Sequence, residues 1–152
     1  MVHEEPTKVS IELEKNMIFH SLNEYLKIQK LIIDETLDKK GKLDGPDAAS
    51  LLGLAIISCL SASFIFCLNK RNLSIDDLTT SAEITFKKLD KGYTRVDKIS
   101  VNLTPKSDDP DVLKRIKLCS RELNDGDLLF EKSCIITPSI REGIDVSVKV
   151  NI

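Results

Sequence analysis

One stretch constrains this chain more than any other. Residues 45 to 70 read Gly-Pro-Asp-Ala-Ala-Ser-Leu-Leu-Gly-Leu-Ala-Ile-Ile-Ser-Cys-Leu-Ser-Ala-Ser-Phe-Ile-Phe-Cys-Leu-Asn-Lys. From Ala48 to Leu68 there is no charge, and the only polar side chains are Ser50, Ser58, Ser61 and Ser63. Such a run is too long for a strand and apolar on every side, so a helix buried all round is expected. Asp44 and Asp47 precede it and Lys70 and Arg71 follow it, the order a helix dipole favours. Pro46 suits a first turn. The run is also long enough to cross a bilayer. Its serines, glycine and alanines make it only moderately hydrophobic, however, and the rest of the chain alternates apolar and polar residues as soluble strands do. A helix packed inside a soluble protein is expected, with no membrane partner.

The 152 residues are expected to form a single domain, 1–152, with a sizeable core. A net charge of −2 and the absence of tryptophan give no basis for a nucleic-acid partner, since neither a basic surface nor stacking platforms are available. The start, Met-Val-His-Glu-Glu-Pro, is polar and acidic rather than signal-like, so a cytoplasmic location is expected. The cysteines are Cys59, Cys67, Cys119 and Cys134, none spaced as Cys-x-x-Cys, and His3 and His20 lie far from them. No metal and no cofactor are expected. A reducing cytosol argues against a structural disulfide, and Cys67 is expected to be an inert, buried, apolar side chain.

Residues 8 to 14 alternate, with Val9, Ile11 and Leu13 on one face, as a half-buried strand does. Strands over 17–22 and 25–34 would complete an antiparallel meander, and the charged loop 36–45 leads to the buried helix. A polar turn over 72–78 precedes strands at 80–89 and 94–103, joined at Asp90-Lys91-Gly92-Tyr93. The segment 105–110, bounded by prolines, breaks the pattern. Val112, Leu113, Ile116, Leu118 and Cys119 recur at helical spacing over 111–122. A short helix over 127–133 should then precede Cys134. Residues 143–152 alternate Ile144, Val146, Val148 and Val150 with polar positions, as a closing strand would. The class is α+β with antiparallel sheet. About six strands from one small chain hardly cover a helix buried on all sides, which points to an obligate homodimer.

A working thiol centre needs an ionised thiol and a second thiol within reach. Cys59 and Cys67 cannot be that pair on an intact helix, because eight residues separate them by about 12 Å, whereas a disulfide needs Cα atoms within about 7 Å. Cys59 must reach Cys119 or Cys134, and the pattern alone leaves both open.

The chain resembles the OsmC/Ohr family of thiol-dependent hydroperoxide reductases. The resemblance begins at Gly45-Pro46, with Cys59 thirteen residues after the proline inside the Leu/Ala-rich helix. It continues through Leu73-Ser74-Ile75-Asp76-Asp77-Leu78, the lead-in to a strand, and ends with Phe130-Glu131-Lys132-Ser133-Cys134 before a closing strand. It covers residues 45 to 152, and the N-terminal strands only by their order. It implies an OsmC-like fold, antiparallel sheets wrapped around a long buried central helix, in an intertwined homodimer. It implies catalytic roles for Cys59 and Cys134 and no cofactor. A Cys59 thiolate would attack an organic hydroperoxide, or hydrogen peroxide, and become a sulfenic acid. Cys134 would condense with it to a disulfide, and an external dithiol reductant would reset the pair. The alternative is an OsmC-fold protein without peroxidase activity that binds a small apolar ligand, or runs another thiol reaction, in the same dimer-interface pocket.

One part of the family pattern is missing. Typical members supply an arginine from the N-terminal strands, held by a glutamate near the start of the buried helix. Here no arginine precedes Arg71, and Ala49 and Ser50 stand where the glutamate would be. Cys59 lies about twelve residues into its helix, beyond the reach of the N-terminal dipole. A substitute cation is therefore expected, from Lys15, His20, Lys27 or the loop lysines Lys39, Lys40 and Lys42.

Overall fold

A computed structural model of the chain describes residues 10–15, 18–22, 31–36 and 44–151. It comprises two compact units, Met1–Gly53 and Leu54–Ile152.

In the first unit, β1 (Ser10–Lys15), β2 (Ile18–Leu22) and β3 (Ile32–Asp34) form an antiparallel sheet in the order β1-β2-β3. Leu13 faces Phe19 and Phe19 faces Ile33, so the expected meander is present. Of the expected strand 25–34, the described residues carry β3 at its end; residues 23–30 and the loop 37–43 lie outside the described part of the chain. Beyond β3 the buried Asp34 organises the approach to the helix. Its carboxylate accepts from the Thr36 hydroxyl at 2.7 Å, the Thr36 N–H at 3.0 Å and the Asp44 N–H at 2.9 Å. These donors, the Thr36 hydroxyl foremost, hold its carboxyl below the usual aspartate value. Gly45 packs so tightly here that a Cβ would collide with the Ile32 carbonyl. Gly45→Ala should therefore cost roughly 1–3 kcal/mol, as overpacking does, read as a lower denaturant midpoint; an unchanged midpoint would show that the loop yields freely.

The helix α1 spans Ala48–Asn69, close to its expected limits. Asp47 caps it by accepting from the Ser50 N–H at 2.7 Å, and the Glu35 carboxylate accepts from the Ala48 N–H. Its far end closes at Asn72, whose φ of 54° is left-handed, a conformation asparagine tolerates. By length and apolarity α1 would cross a membrane, with a mean hydropathy of 2.4. It is instead a core helix: Ile56, Leu60, Ser63, Phe64, Cys67 and Leu68 are buried, and the Ser61 hydroxyl lies 2.8 Å from that of Thr80. Burial all round is not realised in the single chain. Leu54, Ala55, Ser58, Ala62 and Phe66 form an exposed stripe along one side.

The strands β4 (Asp77–Lys88) and β5 (Thr94–Lys106) form a long antiparallel hairpin, with Ala82 opposite Val101 and Ile84 opposite Ile99. Gly92, at φ 79°, makes the turn. Pro105 does not end β5 as expected. It pairs opposite Leu78 at the hairpin's edge, where a missing N–H is tolerated.

The helix α2 (Pro110–Cys119) is capped by Asp109, which accepts from the Asp111 N–H at 2.8 Å, and Pro110 takes the first turn. The expected helix over 127–133 is a 3-10 turn, Leu129–Ser133. A further helix, α3 (Ile136–Glu142), follows Cys134 unannounced by the sequence pattern. Residues 143–150 are a correction of the opposite kind. They carry strand periodicity but pair with no strand, leaving Val146 81% and Val148 85% exposed. Alternation alone does not make a strand; a ladder needs a partner edge, and none is provided among the described residues.

Candidate active site

All four cysteines lie in the second unit, two of them on α1. Cys59 occupies the edge of the buried face, between Ile56 and Leu60 on one side and Ser63 one turn on. Cys134 stands where the 3-10 turn ends, its N–H donated to the Glu131 carbonyl at 2.8 Å. Their sulfur atoms are 3.0 Å apart, with the Cys134 thiol donating to Cys59. The second sulfur is buried, at 5% exposure, whereas Cys59 is half-buried. Thr137 on α3 donates its N–H to the Cys134 sulfur at 3.4 Å, and its hydroxyl lies 3.3 Å away.

The electrostatics divide the two thiols. Burial pushes Cys59 up, but it is outweighed by the Cys134 thiol, the N–H groups of Ile136 and Ile135, and the Ser63 side chain. The net direction for Cys59 is below an ordinary thiol. Burial, then the bond to Cys59, raises Cys134. Cys59 is thus the first to ionise, and Cys134 keeps its proton and stabilises the neighbouring thiolate. The groups seen to lower Cys59 are neutral donors. Lys27, Lys39, Lys40 and Lys42 lie outside the described residues, as do the side chains of Lys15 and His20.

Beside the pair opens a cleft of about 390 Å³, walled by Ile56, Leu60, Val96, Ile99 and Ile140 and rimmed by Arg141. Thr137 lines it too, linking it to Cys134. Glu131, at its edge, is buried; it accepts from Arg141 at 2.9 Å and reaches back to the Leu128 N–H at 3.3 Å. Arg141 and Lys132 also pair with Asp127. These ion pairs brace the segment that carries Cys134.

Cys67 is not the inert side chain that was expected. It forms a disulfide with Cys119, at the end of α2, with Cα atoms 6.1 Å apart. The two positions are 52 residues apart, and no local pattern pairs them. Arg115 donates to the Cys67 carbonyl at 2.9 and 3.2 Å, tying α2 to the end of α1. The helix-rise argument that separated Cys59 from Cys67 agrees with the geometry: each finds a different partner. Sequence reasoning missed Ser63, Thr137 and the two isoleucine N–H groups. Only Ser63 left a trace, as a polar residue one turn from Cys59 in an otherwise apolar run. No group of three or more metal-ligating side chains occurs among the described residues.

The model for the family described as OsmC-like protein matches residues 39–149. The chain belongs to the OsmC-like family. Its mixed fold, antiparallel strands with a long apolar core helix, is the OsmC-like one. Solved structures of similar fold include an OsmC-like protein from Mycoplasma pneumoniae, at a TM-score of 0.65 and 10% identity over 91% of this chain and 89% of that one. Another is an organic hydroperoxide resistance protein, OsmC, from Legionella pneumophila, at 0.61 and 11% over 92% of each chain. A hypothetical protein from Aquifex aeolicus VF5 reaches 0.59 at 18% identity, covering 91% of this chain and 89% of that one. At these identities the likeness concerns the fold. No curated protein sequence matches the chain.

Proposed function

We propose that this OsmC-like protein is a cysteine-based peroxidase that reduces organic hydroperoxides. The observation that carries the reading is the Cys59–Cys134 pair, two sulfurs 3.0 Å apart of which one is held below and the other above its ordinary pKa. The resistance protein of similar fold from Legionella adds support. In the first step the Cys59 thiolate attacks the distal peroxide oxygen. An S–O bond forms, the O–O bond breaks, and the leaving alkoxide takes a proton to become an alcohol. In the second, Cys134 attacks the sulfenic sulfur, the S–S bond forms and water leaves. A dithiol reductant then returns two electrons and two protons, reaching the pair through the more exposed Cys59. The cleft has an aliphatic wall, Ile56, Leu60, Ile99 and Ile140, that suits the organic part of the peroxide, beside the charged Asp97, Lys98, Glu131 and Arg141.

One equivalent of an organic hydroperoxide, added to the protein with these two cysteines reduced, should consume both thiols and leave a Cys59–Cys134 bond on peptide mapping. Persistence of both thiols would reject the reading and favour a ligand-binding role for the cleft.

The working unit of this reading is a cytoplasmic homodimer. The exposed stripe of α1 from Leu54 to Phe66 is apolar apart from Ser58, and Ile144, Val146, Val148 and Val150 point a whole strand's worth of apolar side chains at solvent. A second copy would cover the first and pair with the second. Sedimentation at low micromolar concentration should show a folded dimer; a folded monomer would count against it.

A further inference from the structure

The segment between Cys119 and Cys134 meets α1 at three points on one face. At its base Cys119 is bonded to Cys67. In the middle Phe130 stands edge-on to Phe64, with ring centres 5.3 Å apart. At its far end Cys134 faces Cys59. Eight helical residues, about 12 Å, separate the outer points. Between them the segment is closed on itself: Leu123 donates to Asp127 at 2.8 Å, Leu129 to Arg121 at 2.9 Å, and Glu122 bridges Leu128. It is one braced piece, held to α1 by a covalent bond at one end and a thiol pair at the other.

We infer that the Cys67–Cys119 disulfide positions Cys134: it is the fixed hinge that keeps the second thiol against Cys59 whenever their own bond is open. The Cys59–Cys134 bond has to open and close in each cycle, and while it is open the segment is held on this face by the hinge, the Phe64–Phe130 contact and hydrogen bonds to the Cys59 sulfur, of which the hinge alone is covalent. Two groups held in reacting geometry behave as if at very high concentration, and that advantage vanishes when one of them is released. Cys67 is 5% exposed and Cys119 not at all, so a reductant that reaches Cys59 does not reach the hinge. The bond persists through the cycle instead of taking part in it.

The inference rests on the reading of Cys59 and Cys134 as a working pair, but not on peroxide as the oxidant. Diamide tests it, because its N=N bond accepts the two electrons and two protons released as each disulfide forms. The wild-type protein is fully reduced, treated with diamide, trapped with N-ethylmaleimide over time and mapped by peptide mass. The Cys59–Cys134 bond should form about tenfold faster in chains whose Cys67–Cys119 bond is already closed than in chains where it is open. Cys59 alkylation by iodoacetamide should differ by less than twofold between the two populations, which separates positioning from general loosening. A ratio of closure rates below threefold overturns the inference. The folded Cys67→Ala/Cys119→Ala protein provides a second arm: closure at the wild-type rate there overturns it as well. If diamide closes the pair in a hinge-dependent way while hydroperoxide leaves it untouched, the hinge stands and the peroxidase reading falls.

Discussion

A Cys59→Ser chain, given a hydroperoxide, should keep its remaining free thiol, with consumption falling to the buffer background. The thiolate is the nucleophile, and Cys134 does not replace it because burial, the larger cause of its raised pKa and one that needs no Cys59, disfavours its thiolate. Cys134→Ala should behave differently. Its Cys59 still reacts once, stopping at a sulfenic acid that dimedone traps, and no intrachain disulfide follows. The pH profile sharpens this. Because Cys59 is shifted below an ordinary thiol by its hydrogen-bond donors, its alkylation rate should decline as pH falls through a midpoint lower than that of a free cysteine measured alongside. Removing the Cys134 donor should move the midpoint upward. Cys134→Ser, which keeps a hydrogen-bond donor, should move it less. A wild-type midpoint at or above about 8.5, unchanged in both variants, would mean that the neutral donors around Cys59 do not activate it.

Opening the Cys67–Cys119 bond should produce the largest loss of stability. Cross-linking positions 52 residues apart removes chain entropy from the unfolded state, by about 4 kcal/mol in the loop-closure treatment. Total stabilities of about 5–15 kcal/mol leave little room for such a loss. For a protein of this size it corresponds to a fall in Tm of roughly 8–16 °C. Thermal melts of the oxidised protein, the reduced protein and Cys67→Ala/Cys119→Ala should show it, with the variant lowest because two buried sulfurs also leave cavities. Equal melting temperatures for the oxidised and reduced forms would show that the bond adds nothing to the fold. The burial of both sulfurs also explains how a disulfide can persist beside a dithiol reductant, since reduction requires the protein to open first.

Much of this protein was legible in its sequence, and what was legible is local. The uncharged run from Ala48 to Leu68 can only be a long helix, because nothing else satisfies that many backbone groups among apolar side chains. The alternation around Ala82 to Phe86 and Ile99 to Leu103 is that of a half-buried hairpin, and Gly92 marks its turn. The context of Cys59 and Cys134 supplied the family resemblance and, through it, the pair. The helix α3 was not anticipated; its Pro138 sits in the first turn, where the missing N–H is not needed. What only the tertiary structure decided is long-range. It brings Cys134 to Cys59 across 75 residues and Cys119 to Cys67 across 52. It sets the Ile135 and Ile136 N–H groups and Ser63 around Cys59, and it leaves residues 143–150 without a ladder among the described residues despite their alternation. Periodicity specifies which face of an element is apolar, because that depends on neighbours a few residues away. Which thiol meets which, and which edge a strand finds, depends on packing between elements distant in the chain, and composition carries no record of it.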